Sequence, residues 1–400
     1  MEPIRFSVVS SNCNNTNGPR LGTLTRSNYR IDTPAFMFYT KSGSVPYVSR
    51  EVFDKILPND QVLFNHPLPT NLNFYETLKE YNLGLNKFVG FENYFCCCSI
   101  TDCAVETRQG FNVKDKVAIK SKSGNQLITY ERYMDIMEVF KPDMYVTLCI
   151  SNTNLDSVYS AIEKSVNISN RLFHSCLERH NKSETLKGSG VIAPIQGGYN
   201  VKERIRSAKY LAEYNDVLGF LFDGFFTDGS TVEDIPCDIV MPVITETMEY
   251  LPPDKMKIIF GAWTPALIID FINSGIDMFD STFPYLATEN NCALIFDYNL
   301  KYKNNGIILS IPDNNSDKNR EKLNIYEICL MDKMYFESFE PLKDGCTCLT
   351  CQKHTKAYIH HLLVSNEALG PILLTIHNLH YFYQFFKDIR EVLFKNKHQQ

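Results

Sequence analysis

No apolar run in this 400-residue chain approaches the roughly 18 residues needed to span a bilayer, so a transmembrane helix is not expected. The beginning, Met1-Glu-Pro-Ile-Arg5, is polar and soon runs into Asn-rich sequence, so no secretory leader is expected either. Surplus positive charge is missing: 40 Lys and Arg stand against 46 Asp and Glu, for a net charge of -6. Bulk attraction to polyanions is thereby excluded, and any nucleic-acid contact must come from a local patch. No Gly-x-Gly-x-x-Gly follows the first apolar strand, which removes the main signature of a dinucleotide site. Cysteine, by contrast, is plentiful. There are 13, an odd number, with Cys96-Cys97-Cys98 in a row. Without a secretory leader they read as reduced thiols of a cytosolic protein, the triplet as buried filler.

Four residues of metal-binding type cluster near the end of the chain. Cys346-Thr-Cys348-Leu-Thr-Cys351 forms a tight knuckle, and His377 follows after a helix-patterned apolar run. Three thiolates and one imidazole match the four soft or borderline ligands that Zn²⁺ takes in a tetrahedron. With all four positions filled by protein, the expected role is a structural clip joining a loop to a terminal helix. Chance clustering of reduced cysteines is the plain alternative.

At 44% hydrophobic content the chain can bury a large core. Length alone suggests two or three domains, but α/β barrels with insertions reach this size as one. Ala35–Tyr39 and Gln61–Asn65 read as buried strands. Ser49 is placed to cap a short helix through Ile56. Asn71–Tyr81 reads as helix, Lys87–Gly110 as irregular, Val117–Ile128 as a hairpin, and Tyr130–Phe140 as an amphipathic helix. From Asp143 onward strands and helices alternate: strands near Tyr145–Ile150, Val191–Ile195, Gly219–Phe222 and Lys257–Phe260, each followed by a helical pattern, and then a strand again at Ile276–Phe279. Thr264 caps one of these helices, with Pro265 at its first position. Alternation of this kind calls for a parallel sheet, and seven or eight short-looped units favour a (β/α)8 TIM barrel over an open sheet. The expected division is a barrel body over 1–300, a flexible polar insertion over 301–323, and a zinc-binding subdomain with C-terminal helices over 324–400.

The run Cys346-x-Cys348-x-x-Cys351-Gln-Lys-His-Thr-Lys-Ala-Tyr-Ile-His-His-Leu-Leu363, with Glu367-Ala-Leu-Gly370 and His377-Asn378, closely resembles the tRNA-guanine transglycosylases. That family exchanges guanine at the wobble position of certain tRNAs for queuine or its precursor. Thr33-Pro-Ala-Phe-Met37 is similar to its first strand, Ile195-Gln-Gly-Gly198 to its Gln-Gly loop, and Gly275-Ile-Asp-Met-Phe-Asp280 with Pro284 to its nucleophile segment. The likeness runs from about residue 5 to 395. It implies a (β/α)8 barrel with an appended zinc subdomain, and one Zn²⁺ on Cys346, Cys348, Cys351 and His377.

Base exchange on a ribose needs a carboxylate nucleophile, an acid/base group, and a pocket that hydrogen-bonds the base edge. By resemblance Asp280 stands at the nucleophile position, Asp102 at the acid/base position, and Gln196 and Gly224 at base-contacting positions. The surroundings depart from the catalytic pattern. The Asp-Ser-Gly-Gly loop appears as Thr101-Asp-Cys-Ala-Val105, the base-recognising Asp-Glu-Cys as Leu148-Cys-Ile-Ser151, and the Gly-Gly-Leu as Asp223-Gly224-Phe225. This combination is similar to the eukaryotic non-catalytic accessory subunit. It implies no catalytic residues of its own, a heterodimer with the catalytic subunit through the zinc region, and tRNA docking by Lys353, Lys356, Lys387 and Arg390. The alternative is a divergent enzyme using Asp280 and Asp102. A homodimer in isolation is a further expectation, as are a cytoplasmic location and peripheral association with the mitochondrial outer membrane.

Overall fold

A computed structural model describes residues 2–11, 17–57, 61–105, 114–121, 124–225, 237–311 and 325–397. Eight parallel strands close into one barrel in chain order: β1 (Ala35–Tyr39), β2 (Leu63–Pro67), β3 (Phe95–Ser99), β4 (Met144–Val146), β5 (Gly190–Ile195), β6 (Gly219–Phe222), β7 (Met256–Ile259) and β8 (Met278–Asp280). The ring shuts where Met278, Phe279 and Asp280 pair with Ala35, Phe36 and Met37. Every residue of these strands is buried. Helices cover the outer face and side chains fill the inside, which is why the strands read as continuous apolar runs.

The expected caps are in place. Ser49 Oγ accepts from Val52 N at the head of Arg50–Ile56, and Thr264 accepts from Leu267 N at the head of Pro265–Asn273. A three-stranded antiparallel sheet (Arg5–Ser11, Arg20–Arg26, Tyr29–Thr33) precedes the barrel. Buried Arg20 ties it to the start of β8, donating to both oxygens of Asp277 at 2.8 and 2.5 Å. The C-terminal helix, Leu369–Lys397, has 29 residues and is about 43 Å long. It lies against β1 and β8: Phe36 is 4.9 Å from Phe382 and 5.2 Å from Phe386, and Phe279 is 5.5 Å from Phe386.

Two stretches differ from expectation. The irregular region Lys87–Gly110 contains β3, and the cysteine triplet is its centre. Small thiols suit a strand packed on both faces, but cysteine carries little strand signal in a sequence. The polar stretch after residue 300 begins with a hairpin, Asn299–Lys303 paired with Gly306–Ser310. Its alternating exposed and half-buried residues, seated on Asn273 through Ile307, were hidden by the surrounding Asn and Lys. The remainder of the proposed insertion, 312–323, lies outside the described residues. Among the described residues no helix is long and apolar enough to cross a membrane.

Candidate functional site

Two places bring together the residues singled out by sequence. The first is a metal centre. Cys348 caps the short helix Leu349–Lys353, its sulfur accepting from Cys351 N at 3.3 Å. That turn throws Cys346, Cys348 and Cys351 towards buried His377 on the C-terminal helix. Nδ1 of His377 stands 3.8, 3.5 and 3.3 Å from the three sulfurs, and all four ligand atoms lie within 4.8 Å of one another. A zinc tetrahedron has edges of roughly 3.6–3.8 Å, so this donor set fits the ion in both chemistry and size. The other ring nitrogen, Nε2, donates to Leu294 O at 2.7 Å, which directs Nδ1 to the thiols.

Asn378 extends the clip into the barrel. Its Oδ1 accepts from Leu294 N, and its Nδ2 donates to Cys292 O and Thr288 Oγ1, at 2.9, 2.9 and 3.0 Å. Cys292–Leu294 pairs with Glu327–Cys329. It follows directly on the helix Thr282–Glu289 that leaves β8. A small separate core, including Ile328, Leu330, Ile359 and Leu374, surrounds this region.

The second place is the C-terminal mouth of the barrel, where barrel enzymes hold their chemistry. Asp280 ends β8 and is buried. Its oxygens accept from Gly261 N at 3.1 Å and Thr282 Oγ1 at 2.7 Å. Burial pushes its carboxyl up to about 7 against those two bonds. Asp102 follows β3. The Tyr39 hydroxyl donates to its oxygens at 3.0 and 3.1 Å, and Ala104 N donates at 3.0 Å. Burial raises its pKa too. The Tyr39 ring packs against Tyr285 at 4.7 Å, and Lys41 Nζ donates to the Tyr285 hydroxyl at 3.0 Å. The two aspartates expected from sequence therefore do share one mouth, and an aromatic pair stands beside them.

Gln196 and Gly224 lie on a different part of the rim. Gln196, fully buried after β5, donates from Nε2 to Asp223 Oδ2 at 2.5 Å. Ser151 Oγ donates to the same oxygen, and the Cys149 thiol lies 3.6 Å from it. Gly224 has φ +76, a conformation that favours glycine, and a Cβ there would meet Thr153 Oγ1 at 3.3 Å and Gln196 Oε1 at 3.4 Å. Beneath, buried Arg204 donates to the carbonyls of Gly198 (2.6 Å), Ile195 and Asp223, with its guanidinium 4.0 Å from the Phe225 ring centre.

Sequence reasoning missed Asp223, Tyr39, Thr153 and Arg204. Asp223 was visible only as a substitution in a glycine pair. Its contact with Cys149 joins β4 to β6 across 74 positions of chain, and no spacing announces it.

Comparison with known proteins agrees with this geometry. The family profile described as Queuine tRNA-ribosyltransferase matches residues 13–400. "Queuine tRNA-ribosyltransferase accessory subunit 2" of Aedes aegypti is 36% identical over 394 residues, covering 97% of this chain and 89% of that protein. The proteins of the same name from Drosophila virilis and Culex quinquefasciatus are each 34% identical over 377 residues, covering 94% and 93% of this chain and 86% and 84% of theirs. A likeness of this length, carried on a barrel with a Cys₃His cluster, establishes that the chain belongs to the queuine tRNA-ribosyltransferase family.

Proposed function

We propose that this chain is a non-catalytic accessory subunit, which pairs with a catalytic queuine tRNA-ribosyltransferase subunit for exchange of guanine at the tRNA wobble position. The observation that carries the proposal is its match, over nearly its whole length, to relatives named accessory subunit 2. The mouth supports it. At the strand end where catalytic members of the resembled family carry a base-recognising carboxylate, this chain has Cys149, a buried thiol. The Asp102 carboxylate is engaged by Tyr39 and Ala104. Asp280 keeps its place, but a carboxyl held protonated up to about pH 7 is a weak nucleophile for attack on an anomeric carbon.

Cys346, Cys348, Cys351 and His377 hold one structural Zn²⁺. The ion supplies cohesion: it fixes the knuckle to the long helix, and His377 and Asn378 pass that fixation to the strand after β8. The zinc region also carries the pairing surface. Met334, Phe336 and Phe339 are exposed there by 65, 67 and 75%, beside exposed Met331. So large an apolar display marks an association site. In isolation the same surface pairs two copies of this chain.

Of the four basic residues expected to meet tRNA, Lys353 and Lys387 are exposed. Lys356 pairs with Glu340 at 3.6 Å, and Arg390 donates to Pro34 O at 2.8 Å. Phosphate contact is accordingly assigned to Lys353 and Lys387. The complex belongs in the cytoplasm, and its contact with the mitochondrial outer membrane is peripheral.

Guanine exchange into a wobble-guanine tRNA tests the proposal, with this chain alone, the catalytic subunit alone, and the mixture. Exchange is expected only when the catalytic subunit is present, strongest in the mixture, and unchanged by Asp280→Ala in this chain. Exchange by this chain alone, abolished by Asp280→Ala, would overturn it.

A further inference from the structure

We propose that Asp223 is a built-in occupant of the barrel-mouth pocket, spending on its own carboxylate the donors that the pocket would otherwise offer to a purine. The inference rests on the accessory-subunit proposal and supplies its physical cause. Three side chains from two other strand ends converge on one oxygen: Ser151 Oγ, Gln196 Nε2 at 2.5 Å and Cys149 Sγ at 3.6 Å. A carboxylate accepting several donors in a buried site binds them more strongly than a neutral base edge does. Its main chain is also held in place. Arg204 grips the main chain on both sides through Gly198 O and Asp223 O, and its guanidinium packs on Phe225. The Tyr199 hydroxyl donates to Phe225 O at 2.6 Å. The loop that carries the plug is thus tied at three points to β5 and the helix after it.

The leftovers of the pocket agree. Gln196 Oε1 and Thr153 Oγ1 are buried without a hydrogen-bond partner among the described residues, and both border Gly224. Buried polar atoms are rarely left so, and each calls for an explanation. Position 149 cannot regain a carboxylate while Asp223 remains. A carboxylate there would stand within about 4 Å of the Asp223 carboxyl in a buried site, where two acidic groups so close are costly to hold.

The cycle of Cys149→Asp and Asp223→Gly in the full-length chain tests this, read by equilibrium dialysis with radiolabelled guanine and by thermal midpoint. Cys149→Asp alone is expected to lower the midpoint, and Asp223→Gly to restore it in the double variant. The double variant is expected to bind guanine at least tenfold more tightly than the unaltered chain or either single variant. A folded double variant with no gain overturns the plug. So does guanine binding by the unaltered chain that Asp223→Gly weakens, since Asp223 would then be a recognition group. If the double variant does not fold, Asp223→Ser is measured instead: a tenfold gain is expected, and no gain overturns the proposal. Exchange into tRNA by the unaltered chain alone would instead remove the accessory-subunit proposal, so the two failures are told apart.

Discussion

Asp280 shows how one buried group reports on the mouth. Its folded pKa is raised to about 7 from 3.8, chiefly by burial. A raised acid favours the folded state fully below the unfolded value, and that contribution is lost as pH climbs through the folded one. At about 1.4 kcal/mol per pH unit the window from 3.8 to 7 is worth on the order of 4 kcal/mol. Asp280→Asn is therefore expected to flatten the fall in thermal midpoint between pH 4 and pH 7. Parallel profiles for variant and parent would refute the assignment. Asn378 is a second residue-scale case. Asn378→Ala strands Leu294 N and Cys292 O inside the protein, and a loss of about 2–4 kcal/mol is expected in denaturant unfolding.

Among the elements, the Cys₃His clip and β3 carry the clearest consequences. The clip joins three segments far apart in sequence: the knuckle, the C-terminal helix and Cys292–Leu294. One Zn²⁺ per chain is expected by metal analysis, and none after His377→Ala. Chelation should lower the thermal midpoint, because ligand-site cohesion is folding free energy. A chain that lacks zinc yet keeps its midpoint would show the cluster to be inert thiols. In β3, Cys97 is fully buried in a strand paired on both sides. Cys97→Ser should cost about 1–3 kcal/mol, since a hydroxyl there has to find a partner that a thiol does without.

For the whole molecule, the proposed pairing surface is the exposed apolar group Met334, Phe336 and Phe339. Phe336→Glu with Phe339→Glu is expected to weaken pairing with the catalytic subunit at least tenfold by calorimetry, because charge enters the core of the contact. The far-UV circular dichroism should stay unchanged, since both rings are already in solvent. Unaltered affinity would move the interface elsewhere.

The Cys₃His cluster, the barrel and most of its strands were legible in the linear chain. Ligand identity is a property of residue type, and strand burial on two faces writes itself as unbroken apolar runs. Ser49 and Thr264 were equally plain, because a cap is a local hydrogen bond between neighbours. The state of the mouth, by contrast, is a product of the closed barrel. Closing the barrel sets the ends of β4, β5 and β6 side by side, and this alone brings Asp223 onto Gln196, Ser151 and Cys149. The same closure brings Tyr39 onto Asp102. β3 needed it as well, since three cysteines become a strand only when β2 and β4 supply partners on either side. Contacts between strand ends depend on ring closure, which is a global constraint, and a linear chain carries no local record of it.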